Sequence, residues 1–278
     1  MALTYKCDDN AIELAMTRLK DDGLVAQDAY FNHEASRELR REVAYRDFDF
    51  LSRLGRVAEV ETVRSVLAWL QQEGVAPEEA EYDESAFGRF RSEVKAAFEF
   101  SGTSITPVME RLLYALSAVR RPRRVIGIGT YMGNALVWSV GASCGRERLY
   151  QAERVYGIDV DAGATEQARA NFARLTYSDH IELVAEDGLK VLEDLDGPFG
   201  CVLLDADARD TGKGIYLEVL EAVYEKLEPG AWVLAHDDVV PPFAGRLEGY
   251  LSLVRDGTHF SQSVLFDVDA FGLELSIR

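Results

Sequence analysis

The stretch RVIGIGTYMGN, residues 124–134, decides the fold. A β-branched run comes first, glycines follow at Gly127, Gly129 and Gly133, and a helical pattern covers 133–142. A strand that turns sharply into a helix needs such glycines, which let the backbone reverse and approach a ligand closely. The helix N-terminus then offers unpaired N–H groups. The dinucleotide pattern G-x-G-x-x-G would place its third glycine at Met132; here it comes one residue late, which weighs against NAD.

Outward from this turn the same grammar repeats. Short apolar runs, VYGID (155–159), IELVA (181–185), CVLLDA (201–206) and WVLAH (232–236), alternate with helical patterns at 163–175, 188–194 and 213–227. Strand–helix–strand at this spacing means a parallel sheet covered on both faces, with ligands beyond the carboxyl ends of its strands. SVLFDV (263–268) and GLELSIR (272–278), joined by the turn Asp269–Gly272, read as an antiparallel pair closing one edge.

Upstream, residues 1–103 read as helices with no β-pattern. Helices are expected at 11–19, 34–55 and 59–74, the last with an apolar stripe through Val60, Val63, Val66, Leu67 and Leu70 and a stop at Gly74. Asp83 or Ser85 caps a further helix through Phe98, with Phe87, Phe90, Val94 and Phe98 on one face. The expected division is a helical region over 1–103, serving as lid and dimer surface, and an α/β domain over 104–278.

The chain has 278 residues, 47% hydrophobic and 28% charged, with a net charge of −18 spread along its length. A field of that sign repels phosphate backbones and anionic lipid, so neither nucleic acid nor a membrane surface is an expected partner. The basic run Arg120-Arg121-Pro122-Arg123-Arg124 reads as a solvated loop. Cys7, Cys144 and Cys201 are too few and too scattered for a disulfide framework or a zinc site. With no apolar h-region after Met1 and no apolar run of about 20 residues, a cytoplasmic protein is expected.

Three places carry chemistry. Asp159 ends the second strand of the α/β region, where a carboxylate can accept both hydroxyls of a ribose. Glu186-Asp187-Gly188 follows the third strand and can face an adenine amino group. His236 sits beside Asp237 and Asp238 at the end of the fifth; a lone histidine there is either a hydrogen-bonded structural residue or a functional one. Asn134 is either a plain first-turn polar residue or a substrate contact.

Taken in order, these residues resemble the class I S-adenosylmethionine-dependent methyltransferases, and within them the O-methyltransferase branch of catechol and caffeoyl-CoA enzymes. The resemblance covers 104–278: a helix over Ile105–Val119, the loop at 128–133, Ile158-Asp159, LLDAD (203–207), Leu227-Glu228-Pro229-Gly230, AHDD (235–238) and the closing FGLELSIR. It implies a Rossmann-like, seven-stranded, mostly parallel sheet with an antiparallel last strand. It implies that Gly129, Tyr131 and Gly133 line the methionine end of S-adenosylmethionine, that Asp159 takes the ribose and that Asp187 takes the adenine side. Gly127, Asn134, Val160, Glu186, Gly188 and Asp205 complete the implied cofactor positions. It implies catalytic roles for Asp205, His236 and Asp237, and a divalent cation, Mg²⁺ or Ca²⁺, on Asp205, Asp237 and Asp238. A small-molecule acceptor and a homodimer follow from the same likeness.

The sequence departs from that branch at three points. Gly127 stands where the family usually has an acidic residue. Ala208 stands where the branch commonly places a lysine base, with Arg209 and Lys213 nearby. Asp238 replaces an asparagine. These departures leave room for a second use of the sulfonium, closure of the donor's own amino group to azetidine-2-carboxylate with release of methylthioadenosine. A methyltransferase-like partner subunit or sensor without catalysis is a third reading.

Overall fold

The computed structural model describes residues 2–6, 48–101, 104–238, 240, 243–269 and 271–278. The helix expected at 11–19 and most of that at 34–55 lie outside the described residues, as does Cys7. The chain forms two compact units, Lys6–Glu78 and Met1–Tyr5 joined with Glu79–Arg278.

In the first unit the described structure is a single helix, α1 (Phe48–Gln72). It merges the end of one expected helix with the next, running through Gly55; an interior glycine costs only about 1 kcal/mol relative to alanine and does not stop a helix by itself. Val63, Val66, Leu67 and Leu70 are buried on its apolar stripe. Gly74, at φ +71°, ends it as the spacing predicts, with the Val75 amide donating back to the Leu70 carbonyl at 2.8 Å.

The second unit is built on one sheet of β1 (Ala2–Lys6), β2 (Arg124–Ile128), β3 (Arg154–Asp159), β4 (Ile181–Ala185), β5 (Phe199–Leu204), β6 (Leu227–His236), β7 (Gln262–Asp267) and β8 (Leu273–Ile277). The order is β1-β7-β8-β6-β5-β2-β3-β4. β2 to β6 pair in parallel, and β8 runs antiparallel to both β6 and β7. This is the expected α/β sheet with its antiparallel last strand, carrying one strand more than the seven anticipated. The additional strand, β1, lies in the region read as purely helical. Its five residues, ALTYK, are too few for their alternation to stand out, and only the edge beside β7 makes a strand of them.

Helices α2 (Glu84–Ala97) and α3 (Pro107–Arg120) precede β2. Asp83 is the N-cap of α2, its carboxylate accepting from the Ala86 amide at 2.9 Å, and Phe87, Phe90, Val94 and Phe98 are buried as the spacing requires. α5 (Ala162–Phe172) and α6 (Gly188–Asp194) fall where expected. The crossover after β2 is shorter than the pattern 133–142 suggests: only α4 (Leu136–Ser139) and a 3₁₀ turn at Gly141–Ser143 form. The Ser139 and Ser143 hydroxyls donate to the carbonyls of Leu136 and Val140 at 2.9 and 2.8 Å, competing with the helical ladder.

α7 (Ile215–Val223) and α8 (Ala244–Arg255) cover one face with α6, burying Ile126, Ile128, Val202, Leu204, Val233 and Ala235 against Tyr216, Leu220, Leu247 and Tyr250. α7 stops short of the expected residue 227, because Leu227–Gly230 instead opens β6 beside Phe199. The apolar spacing does not announce α8, which Gly245 and Gly249 interrupt. In the basic run 120–124, Arg120 pairs with Glu228 and Arg124 donates to the Gly197 and Asp196 carbonyls, while Arg121 and Arg123 stay exposed as expected, Arg123 pairing with Glu153 at the surface. Among the described residues no helix is long and apolar enough to cross a membrane.

The strand order fixes where a ligand can enter. From β2 the chain proceeds to β3 and β4 on one side, then returns to β5 on the other, so the crevice opens at the carboxyl ends of β2 and β5.

Candidate functional site

At that crevice the loop after β2 is held by hydrogen bonds to both neighbouring strands. The Gly129 amide donates to the Ile158 carbonyl at 2.9 Å, and the Asp205 amide donates to the Ile128 carbonyl at 3.0 Å. Gly129, Tyr131 and Gly133 all have positive φ, at +80°, +47° and +87°. Tyr131 has no glycine's freedom there, and Asp159 holds it: Oδ2 accepts from the Tyr131 amide at 2.7 Å while Oδ1 accepts from the Asp161 amide at 2.9 Å. The carboxylate at the end of β3 is thus fixed against the glycine turn, with lone pairs to spare for a ligand.

Tyr131 (45% exposed) and Val160 (75% exposed) flank this carboxylate and are among the few large apolar side chains in water. Exposed apolar groups around a fixed polar one are the surface a partly apolar ligand covers. Asn134 is buried; its amide donates to the Ser101 hydroxyl at 3.3 Å, and its Oδ1 has no partner among the described residues.

A second cluster lies where β5 and β6 end. Asp205, His236 and Asp237 converge with donor atoms within 4.8 Å of one another. His236 Nδ1 is 3.3 Å from Asp205 Oδ1 and 3.3 Å from Asp237 Oδ1. Its ring stacks on Phe271, and its buried Nε2 has no partner among the described residues. Lys213, 2% exposed, reaches in from the loop before α7, its Nζ lying 3.2 Å from Asp205 Oδ1 and 2.7 Å from Asp237 Oδ2. Burial pushes the Asp205 carboxyl up, but the hydrogen bond and charge of His236 and the Lys213 ammonium outweigh it and hold the group below its ordinary value. For His236, burial pushes the pKa down, while Asp205 and then Asp237 raise it beyond the ordinary histidine value.

The family model described as "Methyltransferase domain" matches residues 126–238, from β2 to the end of β6. That stretch of the chain is similar to a methyltransferase domain. The chain is 29% identical over 146 residues to an O-methyltransferase, ankF, of Aspergillus thermomutatus, covering 51% of this chain and 56% of that protein. It is 27% identical over 157 residues to a catechol O-methyltransferase of Mycobacterium tuberculosis, covering 54% and 69%. The chain therefore spans little more than half the length of the first of these relatives. In fold it is similar to an O-methyltransferase structure from Klebsiella pneumoniae (17% identity, 77% and 96% coverage, TM-score 0.53). It is likewise similar to one from Bacillus cereus in complex with S-adenosylhomocysteine (18%, 77% and 97%, TM-score 0.51).

Within residues 126–238 the implied cofactor positions divide by location. Gly129, Tyr131, Gly133, Asp159 and Val160 meet at the crevice. Gly127 lies inside β2 opposite Gly157, and a Cβ there would meet Leu136 Cδ1 at 3.0 Å, so it serves packing under the first crossover. A larger side chain there would require the Leu136 and Thr130 side-chain ends to shift. Glu186 is tied to Lys190 at 2.9 Å, and Asp187 caps α6 by accepting from the Leu189 amide at 2.9 Å, which leaves its other oxygen available. Gly188 packs over Ile128, where a Cβ would come to 3.0 Å.

The implied cation set is not brought together as the resemblance draws it. Asp205 and Asp237 converge, but Asp238 lies apart from them, its buried carboxyl beside Glu274. The oxygens that would ligate a cation already receive the Lys213 ammonium. Lys213 Nζ bridges Asp205 Oδ1 and Asp237 Oδ2, so a cation shared by those two oxygens would compete with the ammonium for them. As folded, the charge of these two carboxylates is met by the Lys213 ammonium.

Asp238 serves the fold instead. Burial, with the charge of Glu274 beside it, pushes its carboxyl up to about 8, whereas the ordinary value is 3.8. The folded chain therefore keeps a proton that the unfolded chain has lost above about pH 4, so stability falls as pH rises toward 8 and levels off beyond. Thermal melts should show Tm falling by several degrees between pH 5 and pH 8. Asp238→Asn, which cannot ionise, should flatten that slope; an unchanged slope in this variant would refute the assignment.

Lys213 and Tyr216 are the site residues that spacing did not single out. Lys213 comes eight residues after Asp205 across a stretch that is neither helix nor strand, so no periodicity places it, and the loop closed by the Ala208–Gly212 bridge turns it inward.

Proposed function

We propose that this chain is an S-adenosylmethionine-dependent O-methyltransferase acting on a small-molecule acceptor. The observation that carries the reading is Asp159, fixed by two backbone amides against a turn of three positive-φ residues inside a methyltransferase domain. S-adenosylmethionine would supply an electrophilic methyl group on a sulfonium. Gly129, Tyr131 and Gly133 would hold its methionine end, Asp159 its ribose, and the free oxygen of Asp187 its adenine side.

In methyl transfer the protein mainly aligns donor and acceptor and excludes water. His236 is the candidate proton acceptor: Asp205 and Asp237 orient the ring through Nδ1, and its Nε2, though buried, is unpartnered among the described residues. The same two carboxylates then stabilise the imidazolium that results.

Mass spectrometry of the nucleoside product tests the reading. S-adenosylhomocysteine is the expected product with a panel of hydroxylated aromatic acceptors. Methylthioadenosine would overturn methyl transfer in favour of attack at another carbon of the sulfonium.

A further inference from the structure

We propose that the Lys213 ammonium permanently occupies the place of a divalent cation in this site, so that the chain uses its own positive charge to hold Asp205 and Asp237 and takes up no metal there. The inference deepens the methyltransferase reading, though its test needs neither donor nor acceptor.

The hydrogen-bond inventory of the ammonium carries the proposal. A lysine offers three N–H donors. Here all three have acceptors: Asp205 Oδ1 at 3.2 Å, Asp237 Oδ2 at 2.7 Å and the Tyr216 hydroxyl at 2.9 Å. The Tyr216 hydroxyl passes its own proton to the His236 carbonyl at 3.1 Å, so the chain of donors ends on the backbone of β6. The side chain is 3% exposed, and a lysine that deep is retained only when its charge is paired. The aromatic faces of Tyr216 and Phe243 lie 5.2 and 5.7 Å from Nζ and add to its hold. The backbone is shaped for this arrangement as well: Asp237 adopts φ +72°, a conformation that costs a non-glycine residue about 1–2 kcal/mol, at the position where its carboxylate meets Lys213.

Withdrawing the ammonium would leave two partly buried carboxylates and an imidazole converging with no countercharge, which is the hard-donor arrangement a divalent cation seeks. Lys213 thus decides whether the site is a metal site, and the lysine missing at position 208 is a separate matter of sequence.

Calorimetric titration with Mn²⁺ alone tests this on the wild-type chain and on Lys213→Met. Wild type should show no binding tighter than about millimolar, and Lys213→Met should bind one ion at least about tenfold more tightly. One Mn²⁺ bound by wild type in the micromolar range, and lost on Asp237→Asn, would overturn the proposal. So would a folded Lys213→Met that binds no better than wild type. Should Lys213→Met fail to fold, the wild-type titration still decides. A failure here leaves S-adenosylhomocysteine binding and product identity untouched, so it is distinguishable from a failure of the methyltransferase reading.

Discussion

Gly129→Ala should be the most damaging single-methyl change in the chain. A Cβ at this position would overlap the Cα, the amide nitrogen and the Cβ of Ala206, and backbone cannot step aside as a flexible side-chain end can. The residue also sits at φ +80°, where any side chain adds about 1–2 kcal/mol of strain. Relieving the overlap means pulling the β2 loop away from the end of β5, breaking the bond from the Asp205 amide to the Ile128 carbonyl. The total should be about 3 kcal/mol or more, together with loss of S-adenosylhomocysteine binding. Gly230→Ala is the matching control. Gly230 has φ +75° but nothing within 4 Å of the added methyl, so it isolates the conformational part. Denaturant midpoints of the two variants should differ widely; equal losses would mean that the close approach of β2 and β5 is not what Gly129 provides.

The second large effect belongs to Asp159. Its carboxylate has about four acceptor positions, and the Tyr131 and Asp161 amides use two. The remaining two suit a vicinal diol. Hydrogen bonds to a charged acceptor contribute about 1.5–3 kcal/mol each, so Asp159→Ala should weaken nucleoside binding by about 100-fold or more. The truncation also frees the Tyr131 amide and with it the turn. Asp159→Asn keeps the shape but has one acceptor oxygen, so an intermediate loss is expected.

Much of this was legible before any coordinates. The β2 turn, the parallel strands, Asp159 at the end of β3 and the cap at Asp83 are local features: each rests on a period, a glycine or a side chain reaching its own backbone neighbours. What escaped depends on distant partners. β1 is a strand only because β7 offers an open edge. Gly127 looks like a ligand-facing glycine, yet it lies inside β2, packed closely under Leu136, nine residues on. Lys213 and Asp238 depart from what the sequence suggests: the loop at 208–212 aims the lysine at the carboxylates, and Asp238 is buried beside the Arg255–Glu274 pair. Sequence spacing carries no record of which of two adjacent aspartates faces the crevice.

The crevice between β2 and β5 is proposed to hold an adenosyl sulfonium by its ribose. Isothermal titration with S-adenosylhomocysteine tests it most directly, comparing wild type with Asp159→Ala after circular dichroism confirms that both are folded. One molecule bound per chain by wild type, and affinity weakened about 100-fold in the variant, is the predicted result. No heat with the wild-type chain, or equal affinity in the two proteins, would contradict it.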